Sequence, residues 1–232
     1  DPGIFKAVFL AGGPGSGKTY VAKQLFGIPE RYNISMTGLK MVNSDKELKF
    51  LLNKFGFGTD LDNMPDELFK DLTADGGSGL RKYSKELTTQ RMKVYQQGKL
   101  GMIIDGTGHD FGKLAAMKKD LEKDGYDSYM IFVNTTLEVA QKRNQKRDRI
   151  LPPNLLKKSW TDVQSNLGKF QNLFKLNFLI VDNSKHLDED EAQEKFDMLV
   201  KKGIDKFIKK PIKNAIAKKW VKKQQIIKKQ GA

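Results

Sequence analysis

The residues Gly12-Gly13-Pro14-Gly15-Ser16-Gly17-Lys18-Thr19 lie between an apolar run and a helical pattern. They satisfy G-x-x-x-x-G-K-[ST], a spacing suited to holding a polyphosphate. Glycines let the backbone curl until successive N–H groups point into one anion cavity. A helix opening near Lys18 adds the positive end of its dipole. Lys18 can then reach the β- and γ-phosphates of a nucleotide such as ATP, and the Thr19 hydroxyl can take a place on Mg²⁺. The bland alternative is a glycine-rich turn with a chance lysine. It carries no requirement for a strand before and a helix after, and both patterns are present.

Two acids close other apolar runs. Val42-Asn43-Ser44-Asp45 ends the second run, where a carboxylate would face the γ-phosphate from the acceptor side. Asp45 could take the proton of an attacking hydroxyl and hold its oxygen in line. The same residues equally suit a helix N-cap, with Ser44 or Asp45 opening the helix and Ser44 to Glu47 at capping-box spacing. Met102-Ile103-Ile104-Asp105-Gly106-Thr107-Gly108 ends the third run. Apolar residues followed by an acid place a carboxylate beside Mg²⁺, so Asp105 is the metal candidate. The alternative is a plain Asp-Gly turn. His109 reads as a surface loop residue with little claim to catalysis, and His186 has none.

Only six of the 42 bases are arginine, and three of these, Arg143, Arg147 and Arg149, fall within seven residues. Arginine suits fixed, forked phosphate contacts, whereas lysine is the generic solvated cation. Arg143 and Arg147 are four apart and share a face if the helix continues. A lid over about 143–154, closing these arginines on a nucleotide, would neutralise a transferring phosphoryl group and exclude water. The alternative is a solvated basic helix face.

The elements that must position these groups follow from the hydrophobic pattern. Strands are predicted at 7–10, 39–42, 102–104, 129–133 and 178–181. Helices are predicted at 19–26, 46–55, 66–72, 80–97, 111–123, 137 to about 147, 155–174 and 189–199. Strands alternating with helices imply βαβ units and a parallel sheet covered on both faces. In such a sheet the site lies beyond the carboxyl ends of the strands.

The chain has 232 residues and a formal net charge of +14. From Lys201 to Ala232 there are 12 lysines and a single acid, Asp205, leaving 30 bases and 27 acids on the rest. The reading is therefore a near-neutral body over 1–200 and a lysine-rich helical tail over 201–232, divided at Pro211. The tail suits a docked helix with a solvated face, a nucleic-acid contact or an anionic surface. With no cysteine and two histidines, disulfides, Cys-zinc sites, thiol nucleophiles and multi-His metal centres are excluded. No apolar run reaches the roughly 18 residues of a membrane span. No signal peptide is evident, and a first residue of Asp1 rather than Met points to a trimmed N-terminus. A reducing, cytoplasmic setting fits this composition.

Together, the glycine loop, the acid after the second strand, Ile104-Asp105-Gly106-Thr107-Gly108 and the R-x-x-x-R-x-R run resemble the P-loop kinases that include phage-type polynucleotide 5′-kinases and zeta-toxin kinases. The likeness covers roughly 5–183. It implies an α/β fold of the P-loop NTPase type, with five parallel strands, helices on both faces and here a basic helical tail. It also implies ATP with Mg²⁺ and phosphoryl transfer to a hydroxyl, in the host's cytoplasm if the chain is phage-encoded. Carried over, Lys18 and Thr19 match the nucleotide motif, Asp45 the hydroxyl-activating acid, and Arg143 or Arg147 the lid arginine. Polynucleotide kinases carry an arginine shortly after that acid, where this chain has Lys46 and Lys49. Zeta-type enzymes carry Glu where this chain has Asp105. No D-x-D-x-T phosphatase segment follows. The acceptor implied is a nucleic-acid 5′-hydroxyl or a small molecule such as a nucleotide sugar. A nucleic-acid-binding ATPase without transfer is the reading from another class.

Overall fold

The computed structural model describes residues 3–27, 35, 38–57, 64–73, 79–106, 108–147, 150–185, 189–199 and 203–230. Five strands form one sheet: β1 (Lys6–Ala11), β2 (Lys40–Val42), β3 (Met102–Asp105), β4 (Asp127–Asn134) and β5 (Phe178–Asp182). Their order is β2-β3-β1-β4-β5, and every pairing is parallel. The helices are α1 (Lys18–Phe26), α2 (Ser44–Lys54), α3 (Asp66–Thr73), α4 (Leu80–Gln97), α5 (Phe111–Lys123), α6 (Leu137–Asn144), α7 (Pro153–Phe174), α8 (Glu189–Leu199), α9 (Asp205–Lys209) and α10 (Ala215–Gln230). All five predicted strands form, each within two residues of its predicted ends.

β1 is buried along its whole length. Val8 and Leu10 face Val21 and Leu25 of α1, while Ala7, Phe9 and Ala11 face Phe170 and Phe174 of α7. Cover on both faces explains why the strands read as unbroken apolar runs and not as alternating ones. α2 and α4 pack together beside β2, with Leu48 and Leu52 at the centre of a third, smaller cluster.

The sequence beyond α8 joins the same cores. Ile204, Phe207 and Ile208 are buried with the α1 face. Ala217 is fully buried, and Trp220 meets Phe5 edge-on at 5.4 Å. Asn214 Nδ2 donates to the Glu122 carbonyl at 2.6 Å, and Lys213 N donates to Asp127 at 3.0 Å. All these partners lie at the amino ends of β1 and β4. Past Val221 the helix is exposed on every side. Among the described residues no helix is long and apolar enough to cross a membrane.

Truncating a fully buried aromatic costs about 3–5 kcal/mol, and a solvated surface change less than about 0.5. Phe207→Ala should therefore lose at least about 3 kcal/mol in urea unfolding, with Lys228→Ala close to wild type. Equal stabilities would contradict the docking of α9.

Candidate active site

β1 runs into the glycine loop and α1 leaves it, so strand and helix fix the loop at both ends. Gly15 has φ +75°, and a Cβ there would lie 2.4 Å from the Ala140 carbonyl oxygen. Gly17 has φ +84° and sits at the N-cap of α1 without a side-chain cap. The contrast with other helices is informative: Asn43, Asp110 and Thr136 cap α2, α5 and α6. The first turn of α1 also holds no acid. With neither a side-chain cap nor an acid there, the positive end of the α1 dipole faces the glycine loop, an arrangement that favours an anion. Ser16 Oγ is buried without a partner. Lys18 Nζ donates to the Gly12 carbonyl at 2.7 Å, folded onto its own loop. This donor set fits phosphate oxygens.

β3 lies beside β1, with Leu10 opposite Asp105, so the acid at the end of β3 stands next to the loop. Asp105 is pushed up to about 6. Burial is the main cause, Lys18 pulls it down, Asp45 pushes it up, and Lys46 and Arg147 pull it down. Asn43 Nδ2 donates to Asp105 Oδ2 at 2.8 Å. Among the described residues no group of three His, Cys, Asp or Glu gathers. Mg²⁺ in nucleotide sites takes only one or two protein ligands beside phosphates and water, so Thr19 and Asp105 fit such a site.

The N-cap of α2 is Asn43, whose Oδ1 accepts from Asp45 N at 2.7 Å. The capping alternative for Ser44 and Asp45 is thereby corrected: both lie inside the helix. Glu47 pairs with Arg91 of α4. The Asp45 carboxylate is 2.7 Å from Arg81 Nη1, with the Asp45 side chain 44% exposed. Lys18, Asp45, Arg81, Asp105 and His109 line one cavity of about 250 Å³ between α2, α4 and α5. Phe9, Met92, Ile104, Leu114 and Met117 form its apolar walls, and Lys85 and Lys113 also line it.

α6 ends at Asn144, short of the predicted end near Arg147. Asn144 exchanges two hydrogen bonds with the Leu151 backbone. Beyond it the chain continues in turns, with Lys146 N donating to Arg143 O and Arg147 N to Asn144 O, so Arg143 lies in α6 and Arg147 just past its end. Arg143 Nη1 donates to the Asn183 carbonyl at 2.8 Å, and burial lowers its pKa. Arg147 lies past the helix end, where its charge acts on Asp105. Arg149, Thr107 and His186 lie outside the described residues.

Three residues of the site escaped the sequence reading. Asn183 Nδ2 donates to Ser16 O at 2.8 Å, tying the end of β5 to the phosphate loop. Asn43 links the two acids, and Arg81 pairs with Asp45 across 36 residues of sequence. Arg81 carried one legible signal, the scarcity of arginine.

A parallel sheet of this order, with a glycine loop leading from β1 into α1, defines the P-loop NTPase fold. The chain belongs to the AAA domain family, whose profile matches residues 8–167. Among curated proteins none matches the chain in sequence. Shikimate kinase from Bacteroides thetaiotaomicron shares the fold at TM-score 0.50 and 15% identity, over 84% of this chain and 97% of that one. A gluconokinase from Sinorhizobium meliloti 1021 aligns at TM-score 0.45 and 14% identity, over 85% and 95%. A chain of the Pnkp1/Rnl/Hen1 RNA repair complex aligns at 0.49 and 19%, over 72% of this chain and 46% of that one.

A carboxyl whose value is raised by folding ionises more readily in the unfolded chain. Its cost to the fold is full above pH 6, falls as pH drops, and is gone below the ordinary value of 3.8. Asp105→Asn keeps the acceptor for Asn43 and removes the charge. It should stabilise the nucleotide-free protein at pH 7.5 by about 1–3 kcal/mol, with the gain vanishing towards pH 4. Thermal melts across that range check this, and a variant destabilised equally at both ends would contradict it.

Proposed function

We propose that the protein is an ATP- and Mg²⁺-dependent kinase that transfers the γ-phosphoryl group to a hydroxyl. The observation that carries this reading is the convergence of Lys18, Asp105 and Asp45 on one cavity at the carboxyl end of the sheet. Lys18, the loop N–H groups and Thr19 hold the triphosphate. Mg²⁺, held by Thr19 and Asp105, supplies charge neutralisation on the phosphates when bound. Asp45 takes the proton of the acceptor hydroxyl as the acceptor's oxygen bonds to the γ-phosphorus, the bond from that phosphorus to the β–γ bridging oxygen breaks, and ADP leaves. Arg81 holds the Asp45 carboxylate in place. Arg143, Arg147 and Arg149, on a lid over about 143–154, neutralise the charge on the transferring group.

The preferred acceptor is the 5′-hydroxyl of a nucleic acid, as in the polynucleotide kinases. Apolar walls with Lys85 and Lys113 beside them support this reading, since a terminal nucleoside needs the walls and the phosphodiester that follows it needs the cations. A zeta-toxin-like acceptor such as a nucleotide sugar is the second reading, favoured by the same pairing of apolar walls and cations. The division into a catalytic body (1–200) and a basic tail (201–232) belongs to this proposal, with the tail as a nucleic-acid contact.

Labelled ATP offered with 5′-hydroxyl oligonucleotides, nucleotide sugars and nucleosides tests the acceptor, with transfer to the oligonucleotide expected. Asp45→Asn should cut transfer by about 10²-fold or more while ATP binding stays intact. Near-normal transfer would reduce Asp45 to a structural partner of Arg81. Polymer-stimulated ATP hydrolysis without transfer to any acceptor would overturn the kinase reading.

A further inference from the structure

A second cavity, of about 510 Å³, lies at the opposite end of the sheet. It is bounded by α5, the start of β4, the turn at 175–177 and the segment that joins α9 to α10. β1 has six residues, so at about 3.3 Å per residue the cavity lies roughly 20 Å from the phosphate loop.

Its charge is lopsided. Lys6, Lys118, Lys175, Lys210 and Lys213 line it, against Glu122 and Asp127. The two acids are already committed. Asp127 pairs with Lys6, which is 1% exposed, and Glu122 pairs with Lys118. Lys175, Lys210 and Lys213 are exposed, and among the described residues none has an acidic partner. Three uncommitted ammonium groups around one hollow repel each other unless an anion joins them.

Two further features single the place out. Lys175 has φ +50° and ψ −120°, a conformation a lysine adopts only under constraint, and it holds the residue on the cavity wall. Ser128, also on the wall, is 4% exposed and its Oγ has no partner. The charge continues outward from here. After Asp205 no acid occurs, and Lys218, Lys219, Lys222 and Lys223 are exposed along α10.

We propose that this cavity is a second anion site, which takes a chain of phosphate groups between Lys175, Lys210 and Lys213. The lysines running on from it make a nucleic-acid backbone the preferred source, and a free polyphosphate offers the same chemistry. The site does not depend on the kinase reading, because it shares no residue with the acceptor cavity. It holds the polyanion at the end of the sheet remote from phosphoryl transfer.

The test compares a single-stranded 20-mer with inorganic tripolyphosphate. Both are measured in a Lys18→Ala background, so that the phosphate loop does not compete. Lys175→Gln/Lys210→Gln/Lys213→Gln should weaken 20-mer binding at least tenfold. It should also lower the slope of log K against log salt by about 2, at roughly 0.7 per phosphate contact. Restored Lys18 in the triple variant should give normal ATP binding, which shows that the fold is intact. Tripolyphosphate binding that the triple change abolishes, without 20-mer binding, assigns the site to free polyphosphates. Oligonucleotide binding lost in Lys85→Gln/Lys113→Gln but kept in the triple variant overturns the proposal. So does the absence of any effect of the triple change on either ligand.

Discussion

The rest of the molecule depends on how closely its backbone approaches the phosphate loop. A Cβ on Gly12 would lie 2.6 Å from the Val133 carbonyl oxygen of β4, and one on Gly15 would meet the Ala140 backbone of α6. Gly13 stands against Trp160 of α7, whose Nε1 donates to the Thr135 carbonyl at 2.9 Å. Asn183, past β5, is bonded to the Ser16 carbonyl. Four elements from the second half of the chain thus close around a loop from the first. A side chain on the loop would force them apart, and the loop N–H groups would lose the curl that aims them at one point.

This packing also decides where the remaining chemistry can stand. With β4 and its following helices on one side of β1, the acids must come from the other side, where β3 and β2 lie. Asn43 then bridges them, its two polar atoms spent on the α2 backbone and on Asp105. One residue thereby caps the helix that carries Asp45 and orients the acid beside Lys18. A half-exposed ion pair such as Asp45–Arg81 adds little stability. Its consequence is geometric, since it joins α2 to α4 on the cavity lining.

The strands and most helices were legible because burial on both faces leaves long apolar runs, and because the loop motif needs its own strand and helix. The order of the strands follows from chain logic only in part. The neighbouring of β1 and β3 was anticipated. Leu48, Leu51 and Leu52 give α2 an apolar face at helical spacing, but periodicity does not say that α4 is what packs against it. That is why Arg81 and Asp45 looked unrelated. Helix ends set by side chains were harder still. Ser44 and Asp45 resembled a cap, yet the cap is Asn43, one position earlier, which accepts from Asp45 N. α6 stops where Asn144 turns to bind Leu151, a contact invisible to hydrophobic periodicity.

The charge of the chain acquires a direction once the sheet is seen from its two ends. The carboxyl end mixes both signs, with Asp45, Asp105 and Asp110 among Lys18, Arg81, Lys85 and Lys113. The amino end gathers lysines in excess of any acid that could neutralise them. Yet the segment bearing them is no loose appendage, because Phe207 and Trp220 anchor it in the two cores that also cover β1. A polyanion held at the amino end would therefore load the same helices and strands that set the phosphate loop. Cations placed on a detached tail would bind the polyanion equally well by charge alone, but without that mechanical connection.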